Sequence, residues 1–248
     1  SALGVFGTSV VTAVTAQNTH GVRAVETLSP AIVAVQIDAV LDDFSVGAIK
    51  IGMVSSEAVI RAIAERLRAH GRRAVVDPVM VATSGDRLID EDALGALREE
   101  LLPLADVLTP NMPEAALLLG RMAARNEEDV RAQATALLAR GPHAVLLKGG
   151  HGETRDSIDI LLTADGETRI ARPRIETRND HGTGCTLAAA IAAGLAKGLP
   201  LDQATIEARD YLQSALLAGR DLLVGSGRGP VHHFHRWWPP SSGSETSA

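Results

Sequence analysis

Residues 74–119 read AVVDPVMVATSGDRLIDEDALGALREELLPLADVLTPNMPEAALLL. Two short apolar runs stand out, Ala74 to Val76 and Val107 to Thr109, each followed by a helical pattern. Asp90 to Leu101 places Leu94, Leu97 and Leu101 on one face, and Pro113 to Leu119 follows a proline-rich turn. Short apolar strands alternating with helices of crossover length are the mark of a parallel sheet covered by helices on both faces.

The same alternation extends in both directions. Further strands are expected at Ser9 to Thr15, Ala48 to Val54, Ala144 to Leu147 and Ile158 to Leu162. Further helices are expected at Pro30 to Leu41, Glu57 to Ala69, Glu127 to Ala139, Cys185 to Lys197 and Asp202 to Leu222. In the helix from Glu57, residues Ile60, Ile63, Ala64 and Leu67 share a face behind a Ser55-Ser56 cap. No internal repeat or linker divides the chain, so residues 1–238 are read as one α/β domain and residues 239–248, rich in Pro, Ser and Gly, as a disordered tail. At the other end, Ser1-Ala2-Leu3-Gly4 reads as the last turn of a helix, stopped by a left-handed Gly4 and followed at once by a strand.

Composition narrows the partner. A chain of 248 residues buries a substantial core without disulfides, and the single cysteine, Cys185, has no internal mate. Acidic residues outnumber basic ones 30 to 24 and aromatics are scarce, which argues against a nucleic-acid surface. No apolar run approaches the roughly 20 residues of a membrane span, and no export signal is evident, so a cytoplasmic protein acting on a small molecule is expected.

In an open parallel sheet, ligands collect beyond the carboxyl ends of the strands, so the polar residues that end apolar runs are the ones to weigh. The sharpest stretch is Asn179-Asp180-His181-Gly182-Thr183-Gly184-Cys185-Thr186, leading into a small-residue helix. Its glycines and the helix head form either an anion hole for a phosphate or an ordinary turn; Cys185, in that field, is either a base or polar anchor of lowered pKa or a small buried packing residue. No Walker P-loop occurs.

Asn111 and Glu114, in Thr109-Pro110-Asn111-Met112-Pro113-Glu114, either cap a helix or help to hold hydrated Mg²⁺ and phosphates. Lys148, ahead of Gly149-Gly150-His151, is either a phosphate contact or a solvated charge, and Asp77 either orients metal-bound water or begins a turn. Gln17 and Met53 suit a flat heteroaromatic ring, or are a loop residue and a core filler.

Taken together and in order, VTAQNT, KIGM, DPVM, TPNMPEA, LLKGGH, HGTGCT and GPVHHFHRWW resemble the hydroxymethylpyrimidine/phosphomethylpyrimidine kinases of the ribokinase-like superfamily. HGTGCT and GPVHHFH are fairly specific, whereas DPVM and TPN-x-x-E are shared more widely among related kinases. The resemblance implies a three-layer ribokinase-like fold and a phosphotransferase that uses ATP and Mg²⁺. Its substrate would be 4-amino-5-hydroxymethyl-2-methylpyrimidine and then the monophosphate, giving the diphosphate needed for thiamine biosynthesis.

Carried over by motif, Gln17 and Met53 hold the pyrimidine, and Gly182, Thr183 and Gly184 present the anion hole. Cys185 takes the position where the sugar kinases carry a catalytic Asp; Asn111, Glu114 and Lys148 serve Mg-ATP, with Asp77 acting on the metal indirectly. A homodimer is also implied.

Two departures accompany the resemblance. The family's opening strand and Gly-rich turn, roughly 25 to 30 residues by ordinary element lengths, have no counterpart here. Asp180 stands where the family usually has Thr, which places a negative charge near the anion site. The rival readings are a pyridoxal or pyridoxine kinase of the same superfamily and a catalytically inactive, truncated ligand-binding relative.

Overall fold

A computed structural model describes residues 1–80, 89–149 and 155–238. His151, Gly150 and the tail expected to be disordered lie outside the described residues. The strands of the main sheet are β3 (Lys50–Ile51), β4 (Ala74–Val76), β5 (Ala105–Leu108), β6 (Ala144–Leu147), β7 (Asp156–Thr163) and β8 (Glu167–Pro173), hydrogen-bonded in that order. Strands β3 to β6 run parallel, and β7 and β8 are added antiparallel at one side.

The central strands are buried on both faces, as their unbroken apolar sequence requires. Val76, Leu108, Val145 and Leu147 pack on one side with helices α1 (Pro30–Leu41), α2 (Glu57–Ala69), α3 (Glu91–Ala96), α4 (Met112–Leu119) and α5 (Glu127–Leu138). Val75, Val107, Ala144 and Leu146 pack on the other with α6 (Thr183–Ala196) and α7 (Leu201–Gly219). Neighbouring residues of one strand thus enter opposite cores, the period-two rule of a pleated strand. The architecture is α/β, a mostly parallel sheet with helices on both faces.

Several expectations needed correction. The strand placed at Ser9 to Thr15 is β1 (Ala13–Asn18), which pairs with β2 (Gly21–Thr27) in a separate antiparallel hairpin rather than joining the main sheet. Gly4 does adopt φ 72°, but no strand follows until Ala13. The run from Ala48 forms only two residues of strand, and β2 and β8 were not anticipated because their exposed residues lack an apolar run. The helix from Asp90 changes after Ala96 into a π turn (Leu97–Leu101) and a 3₁₀ turn (Leu102–Leu104). Pro103 explains its end, since a proline inside a helix removes a donor and clashes one turn back.

One buried ion pair ties the antiparallel side of the sheet to α7. Arg209 Nε donates to Asp159 Oδ2 at 2.8 Å, and Gly149 N donates to Asp159 Oδ1 at 2.7 Å. Both charged side chains are buried, so neither is screened by water. Truncation of one partner of a buried pair strands the other charge, and Asp159→Ala is expected to lower unfolding free energy in urea by about 3 to 5 kcal/mol. A loss under about 1 kcal/mol would show that Arg209 finds water or another acceptor.

Candidate active site

The parallel strands deliver their next residues to one edge of the sheet. Asp77 follows β4, Thr109 follows β5 and Lys148 follows β6, while Lys50 opens β3 alongside. Lys148 Nζ donates to Asp77 Oδ1 at 2.8 Å, Thr109 Oγ1 donates to the same oxygen at 3.2 Å, and Lys50 Nζ lies 3.9 Å from Asp77 Oδ2. Asp77 is 1% exposed and its Oδ2 has no hydrogen-bond partner among the described residues. A buried carboxylate is tolerated here because two ammonium groups face it.

Glu114 forms the next layer. Asn111 Oδ1 accepts from Glu114 N at 2.8 Å and Glu114 Oε2 accepts from Asn111 N at 2.7 Å, a reciprocal cap on α4. Asn111 and Glu114 therefore do cap a helix, and the cap also fixes Glu114 Oε2 at 3.9 Å from Lys148 Nζ. Burial pushes the Glu114 carboxyl up to about 7, against the pull of Lys148 and the Asn111 amide and with a further push from Asp77. Burial works to lower the pKa of Lys148, but Asp77 and then Glu114 outweigh it and hold the ammonium above its usual range. Lys148 stays charged at neutral pH, and Glu114 is close to half-protonated.

The head of α6 closes this cluster from the other side. Gly182 is the N-cap with φ 82°, a left-handed conformation that disfavours any side chain, and no side chain among the described residues caps the helix. Thr183 N makes only a long contact with Asp180 O at 3.4 Å, and first-turn amides have no partner inside a helix. The amides of Gly184 and Cys185 are thus presented to whatever lies in front of the helix. A Cβ on Gly184 would come within 3.0 Å of Lys148 Nζ and 3.8 Å of both Asp77 oxygens, so glycine lets the helix head approach the charged cluster.

Cys185 also sits at this point, with its side chain reached by solvent. Its thiol was expected to have a lowered pKa; the structure corrects this. Burial among neighbouring atoms raises it, Asp77 adds to the rise, and Lys50 and Lys148 only partly oppose it. The protonated thiol is favoured.

The described residues bring Asp77, Asn111, Glu114, Lys148, Gly182, Thr183, Gly184 and Cys185 to one edge. Gln17 is further out, on the hairpin, where its Nε2 lies 3.5 Å from His181 Nε2. Met53 is half-buried and its carbonyl accepts from Thr12 Oγ1 at 3.3 Å, which links the base of the hairpin to the end of β3. Sequence reading missed Lys50 and Thr109. The signal for Lys50 was a cation inside an apolar run, quoted in KIGM only for its methionine.

No group of three or more His, Cys, Asp or Glu capable of caging a metal occurs among the described residues. A hollow of about 500 Å³ lined by Thr27, Ser55, Ser56, Glu57, Asp90 and Asp92 touches none of the residues above. The charged side chains gather at the strand ends, away from the hollow.

Comparison with known proteins identifies the family of the chain. Residues 1–232 match the family model for phosphomethylpyrimidine kinase. A hydroxymethylpyrimidine/phosphomethylpyrimidine kinase of Rhizobium meliloti (strain 1021) is 60% identical over 238 residues, covering 96% of this chain and 90% of the relative. The crystal structure of a phosphomethylpyrimidine kinase from Clostridium difficile 630 is 39% identical, with a TM-score of 0.76 and coverage of 87% of this chain and 88% of that one. An ADP complex of Bacillus subtilis pyridoxal kinase superposes with a TM-score of 0.86 at 27% identity, covering 95% and 90%. The better superposition thus comes with the lower identity, so the fold is shared by both kinds of kinase and does not by itself separate them.

The raised pKa of Glu114 has a stability consequence with a definite sign. An acid whose folded pKa exceeds its ordinary 4.5 stabilises the fold least when ionised; the penalty is absent below about 4.5 and complete above about 7. Glu114→Gln keeps an acceptor for Asn111 N and removes the charge. The urea midpoint of this variant should rise relative to the parent chain between pH 5 and pH 8, by up to about 3 kcal/mol of unfolding free energy. A difference that stays flat with pH would show that Glu114 ionises normally.

Proposed function

Because this chain belongs to the phosphomethylpyrimidine kinase family, we propose that it transfers the γ-phosphoryl group of ATP to the hydroxymethyl group of 4-amino-5-hydroxymethyl-2-methylpyrimidine, and then phosphorylates the monophosphate, in thiamine biosynthesis. The observation that carries the reading is the uncapped head of α6 facing Lys148 and Asp77 across Gly184. Open amides and a helix dipole suit the equatorial oxygens of a phosphoryl group in transfer, where catalysis is mostly positioning and charge stabilisation.

In this proposal the amides of Gly184 and Cys185, shaped by Gly182 and Thr183, receive phosphoryl oxygens. Lys148 follows the phosphate as a mobile point charge. Gln17 donates to and accepts from the aminopyrimidine, and Met53 packs on the ring. The Cys185 thiol, protonated in the resting site, acts as a polar anchor that orients the substrate hydroxyl. A loose transition state has little bond formation to the attacking hydroxyl, so little positive charge builds on it and an anchor suffices where a strong base is unnecessary.

Mg²⁺ fits as an ion coordinated chiefly by nucleotide phosphates and water, with Glu114 and Asn111 at its periphery, because no protein cage is present among the described residues. When bound, it would neutralise phosphate charge. Asp77 fits poorly as a metal group, since Lys148 and Lys50 already face its carboxylate.

A homodimer is part of the proposal. Helix α1 is apolar around most of its surface, with Ile32 and Val35 exposed on it, and Phe44 and Phe6 are exposed elsewhere with their rings stacked at 6.2 Å. A cytoplasmic location is proposed too; no helix among the described residues is long and apolar enough to cross a membrane.

The test is incubation with Mg-ATP and the hydroxymethylpyrimidine, following mono- and diphosphate by phosphorus NMR. Both products are expected, and pyridoxal turned over much faster than the pyrimidine would reverse the substrate assignment. Cys185→Ala should lower kcat roughly 100-fold, and Cys185→Ser, which restores a hydroxyl anchor, should recover to within roughly tenfold of the parent. An unchanged rate for the alanine variant would remove the thiol from the mechanism.

A further inference from the structure

The closing motif, Gly229 to His235, takes no part in the contacts above, yet it grips the anion-hole turn from both sides. Before the turn, Gly229 N donates to Arg178 O at 3.2 Å and His181 N donates to Gly229 O at 3.0 Å, with a parallel bridge between His181 and Pro230. Beyond the helix head, His233 Nε2 lies 3.0 Å from Thr186 Oγ1, and Tyr211 Oη donates to the His233 carbonyl at 2.7 Å. Burial, with a push from His232, lowers the pKa of His233, so a neutral ring faces Thr186 at neutral pH.

Arg228, immediately ahead of the motif, makes a contact between opposite charges. Its guanidinium forks onto Asp180, with Nε donating to Oδ1 at 2.9 Å and the terminal nitrogen donating to Oδ2. Asp180 stands two residues before Gly182, and left alone its carboxylate would oppose any anion at the helix head. The same segment holds the hairpin: Arg228 N donates to Thr19 O at 2.9 Å, Gly227 N donates to Thr19 Oγ1 at 3.1 Å, and His20 Nε2 lies 2.8 Å from Ser226 Oγ.

We infer that Arg228 is a positioning residue for phosphoryl transfer, neutralising Asp180 so that the turn at residues 180–184 accepts phosphate while the adjoining backbone holds the hairpin that carries Gln17. The inference rests on the kinase reading. It also answers the charge anomaly of the sequence, because the acid near the anion site is accompanied by its own base. An ion pair this exposed contributes little to stability, with side chains 57% and 31% accessible, so its place beside the anion hole is what gives it consequence.

The experiment is calorimetric titration of ATP, with Mg²⁺, into the full chain and its variants, with thermal melting as the control for folding. Arg228→Met should weaken ATP binding roughly five- to thirtyfold with little change in Tm, and Arg228→Lys should recover most of the loss. The double variant Asp180→Asn, Arg228→Met should return to within about threefold of the parent, because no charge is left to neutralise. Parent-like binding by Arg228→Met would overturn the inference, and so would a double variant as weak as the single, which would mean that Arg228 is only a mechanical tether. These arms do not depend on the pyrimidine: a chain that binds ATP but phosphorylates no pyrimidine sinks the substrate reading alone, whereas one that binds no ATP sinks both.

Discussion

The buried carboxylate of Asp77 is the constraint around which the site is arranged. At 1% exposure, with Lys148 at 2.8 Å and Lys50 at 3.9 Å, it is tolerated because the parallel strands β3 and β6 bring two ammonium groups to the same edge. Stranding one such charge costs about 3 to 5 kcal/mol, whereas an apolar replacement of the whole group is often neutral or better. Stability therefore does not account for the cluster, whereas the proposed phosphate site would. The close approach of α6, where a Cβ at 184 would meet Lys148 Nζ at 3.0 Å, completes the arrangement by bringing open amides up to the lysine.

The charges are balanced in a way that suits a polyanion. Two lysines face the Asp77 side chain, and Lys148 also lies near Glu114, whose pKa of about 7 leaves it partly protonated near neutrality. An incoming cation near Glu114 would favour its ionised form, and an incoming phosphate would meet Lys148 and Lys50. Asp180 and Arg228 repeat the pattern at the rim, an acid matched locally by a base. The same economy governs Cys185, whose thiol is favoured in its protonated form by partial desolvation and by Asp77, which suits the proposed orienting role better than proton abstraction.

Much of this was legible in the sequence, for identifiable reasons. Ala74–Val76 and Ala144–Leu147 are unbroken apolar runs ending on charged residues, and Glu57–Ala69 is amphipathic with a clear start, so these elements were located as they occur. The strand-end rule then directed attention to Asp77 and Lys148. The hairpin was not legible, because β1 and β2 are mostly exposed on both faces and carry no periodic signal. Neither were Lys50 and Arg228 as members of the site: their partners are 27 and 48 positions away, at Asp77 and Asp180, and only the folded topology brings them together. The thiol of Cys185 misled for a related reason, since a helix head in sequence says nothing of the carboxylate that folding sets beside it.

The central claim is that the amides of Gly184 and Cys185 receive the phosphoryl group in transfer. The most direct measurement is a proton–nitrogen NMR titration of the labelled chain with Mg-ADP and aluminium fluoride, a mimic of that group. The account predicts downfield shifts at Gly184 and Cys185 that exceed those along the rest of α6. Saturation of the nucleotide site with both amides left in place would contradict it.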